Sequence, residues 1–233
     1  MDKYLLDACK EEDLEMMEYF IDMGANIETR DEEGNTPLNI SSLYGNIKIT
    51  DYLLRKGADI ETRDDEGYTP LITSSAVGRL NIVECLLENG ANIEAKNNDG
   101  DTPLHLSSAN GYLEITERIL EKGANIEVSN IVKETPLSKV AKRGKLEIVD
   151  CLVKNGANIE TEDIKGNTPL IISSQYGNID VVKYLIEKGA DMEKKDNHDS
   201  TFISLLNNYC RKEVEEVIKD IHLRKQMIKP SKR

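Results

Sequence analysis

No apolar run in the 233 residues approaches the 18 or so that cross a bilayer, and the opening Met1-Asp2-Lys3-Tyr4-Leu5-Leu6-Asp7 lacks the unbroken apolar stretch of a signal peptide. A soluble, cytoplasmic chain is expected, with export to a host cell left open by these residues. Histidine occurs only three times, at His105, His198 and His222, well separated along the chain, and no set of nucleophile, base and acid is read around any of them. The four cysteines show no zinc spacing, and the glycines form neither a Gly-x-Gly-x-x-Gly nor a Walker arrangement. No enzyme, cofactor, metal or small-molecule substrate is therefore expected. Nor is there a basic stripe. Net charge is −13, and since residues 211–233 hold 8 Lys+Arg against 4 Asp+Glu, residues 1–210 carry −17. Such a body repels phosphate backbones and anionic membranes.

Proline and glycine are confined rather than scarce. Five of six prolines follow threonine, at Thr36-Pro37, Thr69-Pro70, Thr102-Pro103, Thr135-Pro136 and Thr168-Pro169, each pair 33 residues after the last. All 15 glycines fall on three columns of the same period, those of Gly24, Gly34 and Gly45. A period of this length means stacked supersecondary units whose cores lie between neighbours. Cys85 and Cys151 then share a column two repeats apart, roughly 20 Å at about 10 Å per packed helix, beyond disulfide reach. With Cys9 in the first unit and Cys210 in the last, the four are expected as buried small hydrophobes in a reducing compartment.

Within a unit, threonine serves as N-cap and proline as first helical residue, where its missing N–H does no harm. A helix from Thr36 stops at Gly45, Asn46 caps a second helix carrying Ile47, Ile49, Leu53 and Leu54, and Gly57 ends it. Asp64-Asp65-Glu66-Gly67 then has the turn chemistry of a hairpin-like finger. Five full repeats, 33–65, 66–98, 99–131, 132–164 and 165–197, lie between a first cap at 1–32 and a last at 198–223, followed by a basic tail at 224–233 expected to fray. A cap has one neighbour and must turn a polar face to water. Lys10, Glu11, Asp13, Glu15 and Glu18 are expected to supply it at the start, while Val214, Val217, Ile218 and Ile221 mark the packing face of the closing helix.

The 33-residue period, Thr-Pro-Leu-His at Thr102–His105 and Gly-Ala-Asn/Asp-Ile before most fingers resemble the ankyrin-repeat family over nearly the whole chain. The resemblance implies an all-α solenoid of stacked helix-turn-helix pairs with projecting fingers, used as a surface for binding other proteins without catalysis. Two departures stand out. Serine pairs at Ser41-Ser42, Ser74-Ser75, Ser107-Ser108 and Ser173-Ser174 replace the family's usual Ala-Ala, and each hydroxyl can bond the carbonyl four residues back. The histidine after Thr-Pro-Leu survives only as His105, read as structural, with Asn39, Ile72, Ser138 and Ile171 elsewhere.

Columns held by packing say nothing of a partner, so specificity belongs where a strict repeat varies: finger tips, among them Arg30 and Arg63, and the end of each first helix. Tyr44, Tyr68, Val77, Ile131, Val132, Ile164 and Tyr176 there are more apolar and aromatic than a solvated face needs, and tyrosine and arginine are enriched in binding hot spots. One repeat breaks its own rules: Lys133 replaces a finger glycine, and Lys142-Arg143 replaces a small or apolar pair. A hot spot is expected around Ile131, Val132, Lys142, Arg143, Ile164 and Tyr176, suited to an apolar side chain next to a carboxylate. The glutamate file Glu28, Glu61, Glu94, Glu127, Glu160 and Glu193 is read as a solvated ridge, too widely spaced to chelate an ion. A monomer binding a protein partner of unknown identity is the leading functional reading. The alternative is a membrane- or nucleic-acid-associated protein directed by the basic tail.

Overall fold

The computed structural model describes residues 1–228, apart from the side chains at 208, 209, 222 and 224–228. Its helices come in pairs: α1 (Asp2–Lys10) and α2 (Leu14–Asp22), α3 (Pro37–Tyr44) and α4 (Ile47–Arg55), α5 (Pro70–Val77) and α6 (Leu80–Glu88), α7 (Pro103–Asn110) and α8 (Leu113–Glu121). The series continues with α9 (Pro136–Arg143) and α10 (Leu146–Lys154), α11 (Pro169–Gln175) and α12 (Ile179–Glu187), α13 (Phe202–Leu205) and α14 (Asn208–Ile228). Among the described residues there is no strand, only an isolated bridge between Lys195 and Thr201. The chain divides into two compact units, Met1–Ile131 and a second beginning at Val132, a division that coincides with a repeat boundary. In the first, α1, α3, α5 and α7 pack in succession, and α4, α6 and α8 do likewise; in the second, α9, α11 and α13, and α10, α12 and α14.

Local chemistry sets each boundary. The Thr36 hydroxyl accepts the Asn39 N–H at the start of α3, Gly45 closes that helix at φ 85°, and the Asn46 side chain accepts the Ile49 N–H to open α4. Asn39 in turn accepts the Thr36 N–H and donates to the Tyr68 carbonyl, and His105, fully buried, accepts the Thr102 N–H at 3.2 Å through Nδ1. Where isoleucine stands in that column, at 72 and 171, only the threonine cap remains. Ile49, Ile82, Ile115, Ile148 and Val181 on the second helices are 0–2% exposed. Burying such a side chain stabilises by about 1.5–3 kcal/mol, gained only when a neighbour covers it.

The fingers hold no ladder. Five of them are closed by two backbone bonds apiece, such as Asp31 N–H to the Asn35 carbonyl and Gly34 N–H to the Asp31 carbonyl, while an Asp or Asn side chain folds back on the turn: Asp31, Asp64, Asn97, Asp163 and Asp196 accept the N–H groups two and four residues on. Successive fingers are then tied together by backbone bonds, Asp65, Asn98 and Ile131 donating to Glu33, Glu66 and Asp99 in the first unit, and Ile164 and Asn197 to Val132 and Lys165 in the second.

Several expectations are revised. Cys9 and Cys151 are buried and unpaired with other cysteines, with burial pushing the Cys9 thiol up to about 12, but Cys85 and Cys210 are half-exposed. The tail expected to fray from Arg224 continues α14 through Ile228; the rest of it, residues 229–233, lies outside the described residues and with it the reading that the tail directs binding. The first cap is not polar throughout its outer side: Lys10, Glu11, Asp13 and Glu15 are exposed as expected, but so are Tyr4, Met16, Tyr19 and Met23. Each pair of serines also divides its roles. Ser41, Ser74, Ser107 and Ser173 donate to the carbonyl three residues back and only Ser174 to that four back, while the buried hydroxyls of Ser42, Ser75 and Ser108 have no partner.

A buried hydroxyl without a partner keeps its desolvation penalty. Ser42→Ala, Ser75→Ala and Ser108→Ala should each raise unfolding free energy in urea by about 1 kcal/mol, whereas Ser174→Ala should not. The three non-glycine residues at positive φ, Glu12, Lys133 and Asp199, all at 60°, occupy glycine columns. Since a left-handed side chain costs about 1–2 kcal/mol, Lys133→Gly should stabilise by about 1 kcal/mol in the same measurement.

Candidate partner-binding surface

In the second unit, the residues that depart from the repeat converge. Val132 and Glu134 on one finger, Ile164 and Lys165 on the next, Lys142 on α9, and Ile172, Gln175 and Tyr176 along α11 surround a recess of about 380 Å³, with Asp196 and His198 at its far edge. Val132, Ile164 and Tyr176 are exposed, and Tyr176 stands at the end of α11 with its N–H donated to the Ile172 carbonyl. The Lys142 ammonium lies 5.4 Å from the centre of the Tyr176 ring and 3.7 Å from the nearer Glu134 oxygen. A charge-assisted bond closes to about 2.7–2.9 Å, so this ion pair is loose and leaves Lys142 donors facing the recess. Arg143 is exposed at the end of α9 and does not line it.

The first unit has its own recess, of about 510 Å³. Leu43, Tyr68, Ala76 and Val77 give it an apolar floor, and Glu33, Asp64, Asp65 and Glu66 an acidic rim. Burial raises the ionisation of the Tyr68 phenol above its ordinary value, keeping a neutral hydroxyl at this edge. Tyr44 is exposed but stands outside this recess, as does Ile131, the most exposed large apolar side chain among the described residues. The nine residues singled out by variation thus fall in different places: Val132, Lys142, Ile164 and Tyr176 in one recess, Tyr68 and Val77 in another, and Tyr44, Ile131 and Arg143 in neither.

Two columns have roles that sequence reasoning missed. The glutamate file is not a solvated ridge: Glu28, Glu61, Glu94 and Glu160 each accept the backbone N–H of the residue 31 positions on, at 2.6–2.8 Å, bonding each repeat to the next within its unit. The signal lay in the Asn/Asp-Ile-Glu recurrence, in which the Asx side chain also accepts the glutamate N–H. Arg30 and Arg63, placed among the variable finger tips, are clasps. Each donates to the carbonyl of its own finger glycine and to a carbonyl of the next finger, and Lys96 reaches the Ser129 carbonyl in the same way.

Among the described residues no three His, Cys, Asp or Glu side chains are grouped so as to hold a metal ion, and no helix is long and apolar enough to cross a membrane.

The comparisons agree with this architecture. A model described as ankyrin repeats (3 copies) matches residues 61–130 and 127–196, and another, ankyrin repeats (many copies), matches residues 5–54. The crystal structure of the human ASB11 ankyrin repeat domain is similar at a TM-score of 0.83 and 22% identity, over 91% of this chain and 96% of that one. The ankyrin repeat domain of Bcl-3, described as a unique member of the IkappaB protein family, is similar at 0.79 and 24% identity, over 93% and 97%. At such identities the likeness is one of fold. No curated protein matches the chain in sequence. With family models covering most of its length and helix pairs, glycine caps and fingers recurring every 33 residues, the chain belongs to the ankyrin-repeat family.

Proposed function

We propose that the protein is a non-catalytic binding module whose partner docks in the recess of the second unit, presenting an apolar side chain beside a carboxylate. Ankyrin repeat domains generally mediate protein–protein interaction, and one observation supports this site for it. The repeat that breaks its own pattern at Lys133, Lys142 and Arg143 is also the one whose neighbours leave Val132, Ile164 and Tyr176 exposed around a single recess. An aromatic ring and two apolar side chains at the edge of a concave site have the composition of a hot spot. Lys142, held over the Tyr176 ring, places the cation where a carboxylate next to the buried anchor would lie. Arg143 lies outside and supplies long-range attraction only. The five repeats and two caps drawn from the sequence are the units of this module.

Panning a displayed peptide library on the immobilised full chain tests the reading. Enriched peptides should carry Asp or Glu within two residues of Leu, Ile or Phe. Lys142→Ala and Tyr176→Ala should each weaken them at least about fivefold, corresponding to roughly 1 kcal/mol, while Tyr44→Ala and Asn110→Ala change affinity less than twofold. Enrichment without carboxylates, or binding indifferent to Lys142 and Tyr176, would remove the site.

A further inference from the structure

The first helix pair carries an outward face that the rest of the array would have covered. In every later second helix, the column of Met16 is filled by Ile49, Ile82, Ile115, Ile148 or Val181, all 0–2% exposed; Met16 itself is 45% exposed. One turn on, Tyr19 is 56% exposed, where Tyr52 and Cys151 in the same column are buried and Cys85, Arg118 and Tyr184 half-buried. Met16, Tyr19, Phe20 and Met23 follow i, i+3, i+4, i+7 along α2 and so share one side of it. From α1, Tyr4 stacks on Phe20 with ring centroids 5.8 Å apart, and Tyr19 meets Phe20 edge-on at 5.6 Å. Met1, Tyr4 and Met23, each 57–60% exposed, extend the patch, and Met16 and Tyr19 line a recess of about 340 Å³ with Asp13 and Glu15. A contiguous exposed apolar surface of this kind marks an interaction site, and here it interrupts the polar outer face expected of a cap.

We propose that this face binds a helix of a partner protein, one presenting an apolar stripe flanked by lysine or arginine. Continuity with the repeat interfaces argues for a helix, because later second helices pack on second helices within their units: α4 on α6, α6 on α8, α10 on α12, α12 on α14. Charge argues for basic flanks. Residues 1–23 hold eight carboxylates against two lysines, and Glu15, Glu18 and Asp22 run along α2 beside the apolar stripe. The same charge disfavours a second copy, which would set acid against acid around a shared apolar centre. This surface is separate from the finger recesses, so it stands or falls independently of the reading above.

The test uses the full chain with methyl-labelled methionines and two synthetic helical peptides that share a leucine stripe at i, i+3, i+4, i+7, one flanked by lysine and the other by glutamate. The lysine peptide should shift the Met16 and Met23 methyl resonances saturably, leave Met192 unmoved, and bind at least tenfold more tightly than the glutamate peptide. Met16→Gln with Tyr19→Gln should lower its affinity at least tenfold with unchanged helical circular dichroism. Glu15→Lys with Glu18→Lys, both on the surface, should invert the preference between the two peptides. Equal binding of both peptides, shifts that miss Met16 and Met23, or a preference that survives the charge reversal would overturn the proposal. So would concentration-dependent Met16 shifts without peptide, accompanied by a dimer in sedimentation, since the occupant would then be a second copy.

Discussion

Every repeat here depends on one constraint: a single helix pair has more apolar surface than it can cover by itself. Its first helix is too short, at seven or eight residues in the internal units, to persist alone, and helices of that length are marginal in water without tertiary packing. Burial of the column running from Ile49 to Val181 therefore arises between units, and stability grows by nearest-neighbour increments. The polar bonds serve the same end. Glutamate to backbone, arginine to carbonyl and finger to finger, they fix the register in which one unit meets the next, and within each unit they recur with the period of the sequence itself.

Close approach explains why glycine is so strictly placed. A Cβ at Gly34 would meet the Asp65 carboxylate at 2.4 Å, and one at Gly67 the Asn98 side chain at the same distance. Left-handed backbone at both positions adds to the requirement. At 100 and at 133 alike the following finger brings an exposed isoleucine, Ile131 or Ile164, rather than Asp or Asn; glycine stays at 100, where a Cβ would meet the Ile131 backbone nitrogen at 2.9 Å, and is replaced at 133.

What was legible in the sequence was whatever repeats for a local reason. Thr-Pro starts, glycine stops and the left-handed turn at Lys133 all follow from the conformational limits of single residues, and the structure places each where the spacing put it. What was not legible depends on a neighbour 31 to 34 residues away. Glu28 and Arg30 read as solvated side chains because nothing nearby in sequence needs them; their partners are backbone groups of the next finger. The second serine of each pair misled for the converse reason. The carbonyl four residues back is within its reach in principle, as Ser174 shows, yet Ser42, Ser75 and Ser108 do not take it. Of the candidate site, the type of residue could be read from variation but not its grouping, since the recess exists only where three fingers and two first helices enclose it.

The same dependence on neighbours separates the two ends of the chain. The helix α14 buries Val214 against its unit, half-buries Val217, Ile218 and Ile221, and exposes Lys212, Glu215, Glu216, Lys219 and Asp220 together with Leu223. The opening pair keeps the acidic rim of a terminator but the apolar centre of an internal repeat. Simple solubility would favour polar residues at Met16 and Tyr19, because neither position contributes its full burial energy while uncovered. Their retention beside a run of carboxylates gives that face both attraction and selectivity: apolar contact without regard to sequence at the centre, and rejection of acidic surfaces, including its own, around the edge.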